Sequence, residues 1–417
     1  MVATPLSAAP TSEIGYATEA SNWWTAAAEE TTPELQWPKS IRVYDQMRRQ
    51  DTQVKSILRA VTLPVRRTAW RIEPGDARPE VVALVAEDLR LPVVGQPAAA
   101  PGRSRDRFSW RQHLELALLS LPFGHMFFEQ VYRLDESGRA RLRKLAPRMP
   151  RSISAINVAA DGGLISIEQY PATITARQQR PIPVSRLVGY VFEQEGGNWY
   201  GNSILRAAYK NWLLKDRLLR VQAQTVERNG MGVPLYEAAE DETDLARGRK
   251  LAQEWRSGEA AGAAVPHGAK LTLRGVEGSL PDADKPIRYH DEQIARTALA
   301  HFLNLGTQTG SWALGTTLGE FFTLSLQTLA ENIADVANQH IVEDLVDLNY
   351  GPDEAVPRVV FDEIGSQHAI TAQAMKLLID AGAVSADPEL EQHLRQVYGL
   401  PPRSGAAPAD PAPTEDQ

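Results

Sequence analysis

The sequence predicts a mainly helical α+β protein on three observations. Amphipathic runs of helical period flank residues 133–190, that middle stretch alternates with period two between turn signals and prolines, and glycine clusters punctuate the helices that follow. At 417 residues the chain has room for two to four structural units of ~100–200 residues each. Apolar content of 43% and charged content of 23% suit a globular protein, and a net charge of -8 excludes a generally basic coat, so any nucleic-acid contact is local. The absence of cysteine excludes disulfides, thiolate zinc sites and cysteine nucleophiles. The amino terminus has no basic region followed by an apolar core, and no apolar run approaches the ~20 residues of a membrane span, so the expectation is a chain neither secreted nor membrane-inserted.

Taken in order, residues 1–37 are an Ala/Thr/Pro/Glu-rich arm, with Trp23, Trp24 and Trp37 to dock it on its own body or a neighbour. Val43, Met47, Val54, Ile57, Leu58 and Val61 recur at helical spacing over 41–61, "AWRIEP" alternates as a strand up to Pro74-Gly75, and a helix covers 79–90. After a loop at "GQPAAAPGRSRDRF", the stretch to Leu121 is an amphipathic helix with Ser109 as cap and Pro122 at its end, and "HMFFEQVYRL" is a strand. Turn signals "DESG" and "ADGG", with prolines at 147, 150, 171, 181 and 183, mark 133–190 as a small β-rich insertion. The turn "EGGNWYGNSIL" then opens a helix over 203–228 that "NGMG" closes, a second helix lies near 241–257, and "KLTLRGV" is a strand. Helical pattern over 291–348 is interrupted at 306–319, where four glycines in fourteen residues predict a loop. One or two helices close the chain over 370–398, and 403–417 is a Pro/Ala tail too poor in apolar surface to order itself.

Enzymatic readings fail on spacing. Gly201-Asn202-Ser203-Ile204-Leu205 resembles a G-x-S-x-G nucleophile elbow but has Leu at the last position, and the strand before it ends about ten residues too early. The eight histidines form no H-E-x-x-H pair, and His340 with Glu343 is no ligand set. No phosphate-cradling G-x-x-x-x-G-K-[ST] occurs, and "NGMGVPL" fails the dinucleotide fingerprint at Leu235. Asp282 with Asp284, and Glu343 with Asp344, sit in solvated loop or helix contexts. No catalytic residue, cofactor or metal is expected.

One basic feature stands out by geometry. At 100° per residue, Arg206, Lys210, Arg217, Arg220 and Arg228 fall within about an 80° arc of the 203–228 helix, with Ile204, Ala208, Trp212, Leu219 and Val226 opposite. Such a stripe is a solvated face, or it meets DNA phosphates or acids of a neighbouring subunit. Acids of a neighbouring subunit are the favoured partner, because five cations paired with phosphates would hold a duplex fast. A second cluster, Arg139, Arg141, Arg143, Lys144, Arg148 and Arg151, has no acid between 139 and 151, and is either a docking surface for an acidic partner or a solvated hairpin.

The order of elements resembles the portal proteins of tailed bacteriophages. So do the stretches "DTQVKSILRAVTLPVRRTAWRIEP", "LLSLPFGHMFFEQVY" and "GNWYGNSILRAAYKNWLLKDRLLRVQAQTVERNGMGVPL", while 301–351, ending "IVEDLVDLNYG", resembles the Mu-type portal subfamily. The likeness runs in order over about residues 40–350, and the chain is short for a portal. It implies a ring, usually a dodecamer, at one capsid vertex of the virion, assembled in the host cytoplasm. Double-stranded DNA passes through its channel, without sequence specificity, in packaging and ejection, and its partners are the large terminase, the major capsid protein and head-tail connector or adaptor proteins, with no membrane.

Carried over by position, 38–104 is the first part of a wing, 105–132 a stem helix and strand, 133–190 the clip, and 191–230 a turn and the second stem helix. Residues 231–300 are the second part of the wing, 301–350 two helices around a tunnel loop at 306–319, and 351–402 a reduced crown. In that loop Gln308, Thr309, Ser311, Trp312, Thr316 and Thr317 are the candidates to face DNA, since glycines let it flex and small hydroxyl or amide groups touch phosphate without locking it. The alternatives are a plain connector for this loop, and, for the whole chain, a scaffold of some other helical assembly or a serine hydrolase using Ser203.

Overall fold

The first helical run is two helices, and Asp51 divides them. A computed structural model of the chain describes residues 30–96, 108–171, 180–231, 233–254, 262, 264–274, 282–298 and 312–365. In it α1 (Lys39–Gln50) stops one residue before α2 (Thr52–Arg67) starts. The Asp51 carboxylate accepts from the backbone N–H of Gln53 and Val54 at 2.8 and 3.0 Å, satisfying two orphan donors of α2. Met47, Val54, Ile57 and Val65 are fully buried along the two helices. β1 (Trp70–Glu73) and α3 (Pro79–Leu89) follow as expected, the helix ending where Arg90 turns left-handed at φ 58°.

The helix expected over 105–121 is shorter and broken. α4 (Trp110–Ala117) and α5 (Ser120–Phe123) are separate, and Ser109 occupies the N-cap position without a side-chain cap bond. Residues 105–107 lie outside the described ones. Trp110, His113, Leu114 and Ala117 are all buried. Next comes β2 (His125–Leu134), the centre of an antiparallel sheet ordered β3-β2-β7, with β3 (Ala140–Arg148) and β7 (Leu187–Val191) on either side. β4 (Ile153–Val158), β5 (Leu164–Gln169) and β6 (Ile182–Pro183) form a second antiparallel sheet. Phe127, Ile153, Ile156, Leu164, Ile167 and Leu187 fuse the two sheets into one core. The region is β-rich as expected, but β3 and β7 both pair with the strand that precedes it.

α6 (Tyr209–Met231) begins six residues later than the sequence suggests. Residues 203–209 form tight turns instead, with Arg206 N–H donating to Ser203 O and Ala208 N–H to Leu205 O. β8 (Val233–Glu237) pairs antiparallel with β9 (Lys270–Arg274), and α7 (Ala246–Gln253), the core of the helix expected over 241–257, lies between them in sequence. α8 (Asp284–Arg296) packs against α6.

The loop expected over 306–319 does not extend through its second half, and 306–311 lie outside the described residues. α9 (Trp312–Ala337) starts at Trp312, so Gly315 and Gly319 are helical. Each glycine costs about 1 kcal/mol relative to alanine, but extending a nucleated helix gains a hydrogen bond per residue, and the apolar run downstream nucleates it. The helix then widens to a π turn at Asn338–Val342 and continues as α10 (Glu343–Tyr350), before β10 (Arg358–Phe361) pairs with β1. The chain divides into two units, 1–362 and 363–417. The arm through residue 29, most of the crown-like region and the tail fall outside the described residues.

Candidate functional site

The junction before α6 is stitched to the end of α5 by backbone contact. Gly124 (φ 85°) and Gly201 (φ 63°) lie face to face, and a Cβ on Gly201 would come within 2.3 Å of the Gly124 carbonyl oxygen. Only glycine fits both positions. Asn202 N–H donates to Phe192 O, Phe192 N–H to Gly124 O, and Ile204 N–H to Leu121 O. Ser203 is buried here. Its hydroxyl donates to the Pro122 carbonyl at 2.7 Å and accepts from Leu205 N–H at 3.0 Å, so it holds a turn and is not in the first turn of α6. A hydroxyl committed to a carbonyl is not poised as a nucleophile. Trp37 stacks on Tyr200 at 4.6 Å, covering the junction.

α6 carries the basic stripe, in a different arrangement from that expected. Arg206 lies in the turns before the helix and binds Glu30 through two of its nitrogens. Burial raises the Glu30 carboxyl, but Arg206 and the Thr32 N–H outweigh it and hold it below its usual range. Arg220 pairs with Asp216 one turn back, at 2.8 Å. Lys210 and Arg217 are exposed and have no ion-pair partner among the described residues, while the Arg228 side chain lies outside them.

The face of α6 that turns inward is the one expected, but Lys215 and Asn211 put polar groups in the middle of it. Lys215 is 5% exposed and lies 2.9 Å from Asp51 and 2.5 Å from Asp291 of α8, and Asn211 meets His290 at 3.0 Å. Burial lowers the Lys215 ammonium, but the two carboxylates outweigh that and raise it above its usual range. Leu213, Leu214, Leu219, Val221 and Val226 stand in solvent, Val226 at 66%. Leu219 and Val226 were expected on the packed side. At 100° per residue both lie within about 40° of Lys215, on the same face, and they are exposed because nothing packs closely on the second half of the helix, where no residue of 219–227 is buried.

The second basic cluster is dispersed by pairing. Arg141 binds Asp88 at 2.7 Å and Glu87 at 2.8 Å, both on α3, and Arg148 shares Glu129 with Arg186. Arg139, Arg143, Lys144 and Arg151 remain exposed, and the Arg139 guanidinium lies 5.9 Å from the Tyr350 ring centre. The acids come from α3 and β2, invisible to a search within 139–151. Of the loop candidates, Trp312, Thr316 and Thr317 are helical in backbone, and Gln308, Thr309 and Ser311 lie outside the described residues. Among the described residues no cluster of His, Asp and Glu could hold a metal, and no helix is long and apolar enough to cross a membrane.

α6 and α8 thus pack as a pair beyond the glycine-locked junction, with leucines and arginines of α6 exposed. A family model for the portal protein of Mu bacteriophage matches residues 41–400, and the chain belongs to that family. It is a subunit of a portal vertex, in a family that is structural rather than catalytic. Its fold is similar to a chain in the neck of an empty GTA particle computed with C6 symmetry, at 15% identity and TM-score 0.56 over 86% of this chain and 93% of that one. A chain in the virion of a native gene transfer agent particle is similar at 13% identity and TM-score 0.53, with the same coverage. Another, in a neck computed with C12 symmetry, matches at 13% identity and TM-score 0.53, again over 86% and 93%.

Proposed function

We propose that copies of this chain form a twelve-membered ring that conducts double-stranded DNA, without reading its sequence, during packaging and ejection. The ring assembles in the host cytoplasm, sits in the capsid shell of major capsid protein, and docks large terminase and then head-tail connectors. The observation that carries this is α6 and α8 packed together, with β8, α7 and β9 between them in sequence and five large apolar side chains of α6 in solvent. Exposed leucines and valines beside Lys210, Arg217 and Arg220 suit burial against a neighbouring subunit better than a solvated face.

We therefore assign the stem to α6 and α8 and the clip to the excursion 232–283, in place of 105–121 and 133–190. α4 is too short and too buried to line a channel, and β3 and β7 belong to the sheet of β2. Residues 299–311, with Gln308, Thr309 and Ser311, become the tunnel loop, entering α9 at Trp312, with Thr316 and Thr317 in its first turns. Arg139, Arg143, Lys144 and Arg151 remain as a docking surface for acidic partners.

Negative-stain images of the purified chain test the reading: radially symmetric rings with a central hole support it, and filaments would favour a helical scaffold instead. Charge reversal at Arg217 and Arg220 should impair ring assembly, and intact rings would sink the subunit-contact role of α6. An esterase assay of the native chain and Ser203→Ala should show no hydrolysis in either.

A further inference from the structure

Two apolar surfaces stand without a partner among the described residues, one a concave groove and one a small exposed patch. The concave one is a cavity of about 670 Å³ between α9, the end of β7 and the end of α8, walled by Phe192, Ile204, Ala298, Leu324, Leu329 and Ile333 among others. At its mouth Phe321 and Leu324 are 59% and 62% exposed. A small-molecule site keeps such side chains inside, so large apolar groups in solvent at a rim mark a macromolecular contact.

The exposed patch is at one end of the second sheet. β5 and β6 pair with Ser166 opposite Pro183, which sets Ile165 beside Val184, and both are exposed. The charges around the two surfaces are opposite. Glu193 lines the groove and exposed Glu320 precedes Phe321, whereas exposed Arg180 lies four residues before Val184, Arg186 on its other side being paired with Glu129. Val184 opens a 3-10 turn (Val184–Arg186) that leads into β7, and Phe192 follows the end of that strand, roughly 20 Å away at ~2 Å per residue in the turn and ~3.3 Å in the strand, so the patch does not reach the groove of its own chain.

We propose that the groove of one subunit receives the Ile165/Val184 patch of a second copy, with Arg180 meeting the Glu193/Glu320 rim. This rests on the ring reading above and adds which surfaces meet. Two different patches that fit each other make a head-to-tail contact, the kind that closes into a ring.

The chain has no cysteine, which makes disulfide trapping clean. The double variant Val184→Cys/Leu324→Cys should give, on oxidation, a ladder of covalent multimers, and each single variant should stay monomeric in denaturing gels. Leu324→Glu and Val184→Glu should each weaken assembly at least about tenfold, with an unchanged melting temperature because both sites are exposed. Glu320→Arg should weaken it and Arg180→Glu in the same chain restore it. Rings that form in Leu324→Glu as in the native chain, or a covalent dimer from Leu324→Cys alone, would overturn the pairing and leave the ring reading standing. A native chain that stays monomeric at high concentration would overturn both.

Discussion

Lys215 shows how much one side chain carries. It is the single cation that joins the N-cap of α2 to α8 through α6, and its removal strands Asp51 and Asp291 as adjacent partly buried carboxylates. Breaking a buried pair by deleting one partner costs ~3–5 kcal/mol, so Lys215→Met should lower stability by about that much in urea titration. Lys215→Arg, which keeps the charge, should lose less. Two buried imidazoles give a pH signature. Burial pushes His113 down from its ordinary 6.5 to about 3, and His125 to about 4, the latter in spite of its bond to the Tyr200 carbonyl. Between those values and 6.5 the unfolded chain binds protons that the folded chain refuses. Stability is therefore full above about pH 6.5 and falls as pH drops toward 4. Urea midpoints across that range should decline, and His113→Gln/His125→Gln should flatten the decline. A flat profile in the native chain would refute the role of the two rings.

At the scale of elements, asparagines lock helices to strands. Asn338, in the π turn, donates to the Val359 carbonyl at 3.2 Å and accepts from its N–H at 2.7 Å, as a neighbouring peptide would. Asn349, at the end of α10, does the same to Ala140 in β3, at 2.9 and 2.8 Å. Gln130 of β2 adds a third tie, to the His340 carbonyl and Asp344. Each clamp satisfies one backbone N–H and one C=O that would otherwise lack partners, so Asn338→Ala and Asn349→Ala should each cost about 1–3 kcal/mol, read by chemical denaturation. Hydrogen exchange at Val359 and Ala140 should quicken in the matching variant only. Strand β2 and helix α3 were legible because their apolar periods are unbroken. The start of α6 was not, because the tight turns after Ser203 keep helix-forming residues in non-helical bonds.

At the scale of the molecule, the charge pattern changes meaning once pairs are drawn. Of eleven basic residues singled out in the two clusters, Arg141, Arg148, Arg206 and Arg220 hold acids of their own chain. The outward face of α6 thus offers leucines as well as charge, and assembly should depend on both. Raising salt from 0.1 to ~1 M shrinks the screening length from about 10 to 3 Å, so it should weaken rings only partly if apolar burial dominates. Complete dissolution of rings by salt, seen in light scattering, would assign the contact to charge alone.

The element order, the β-rich middle, the glycine junction and the portal-family resemblance were determined by the sequence itself, because periodicity, turn chemistry and left-handed glycines are local properties that each stretch carries with it. Only the tertiary structure decided that Lys215 faces inward, that Leu213, Leu214 and Val221 of α6 stand in solvent, that α6 pairs with α8, and that two of the six residues of a basic cluster are spent on α3 and β2. Those outcomes depend on which distant acids arrive beside a given side chain. Burial of a charge is settled by its partners, and partners meet only in the folded chain.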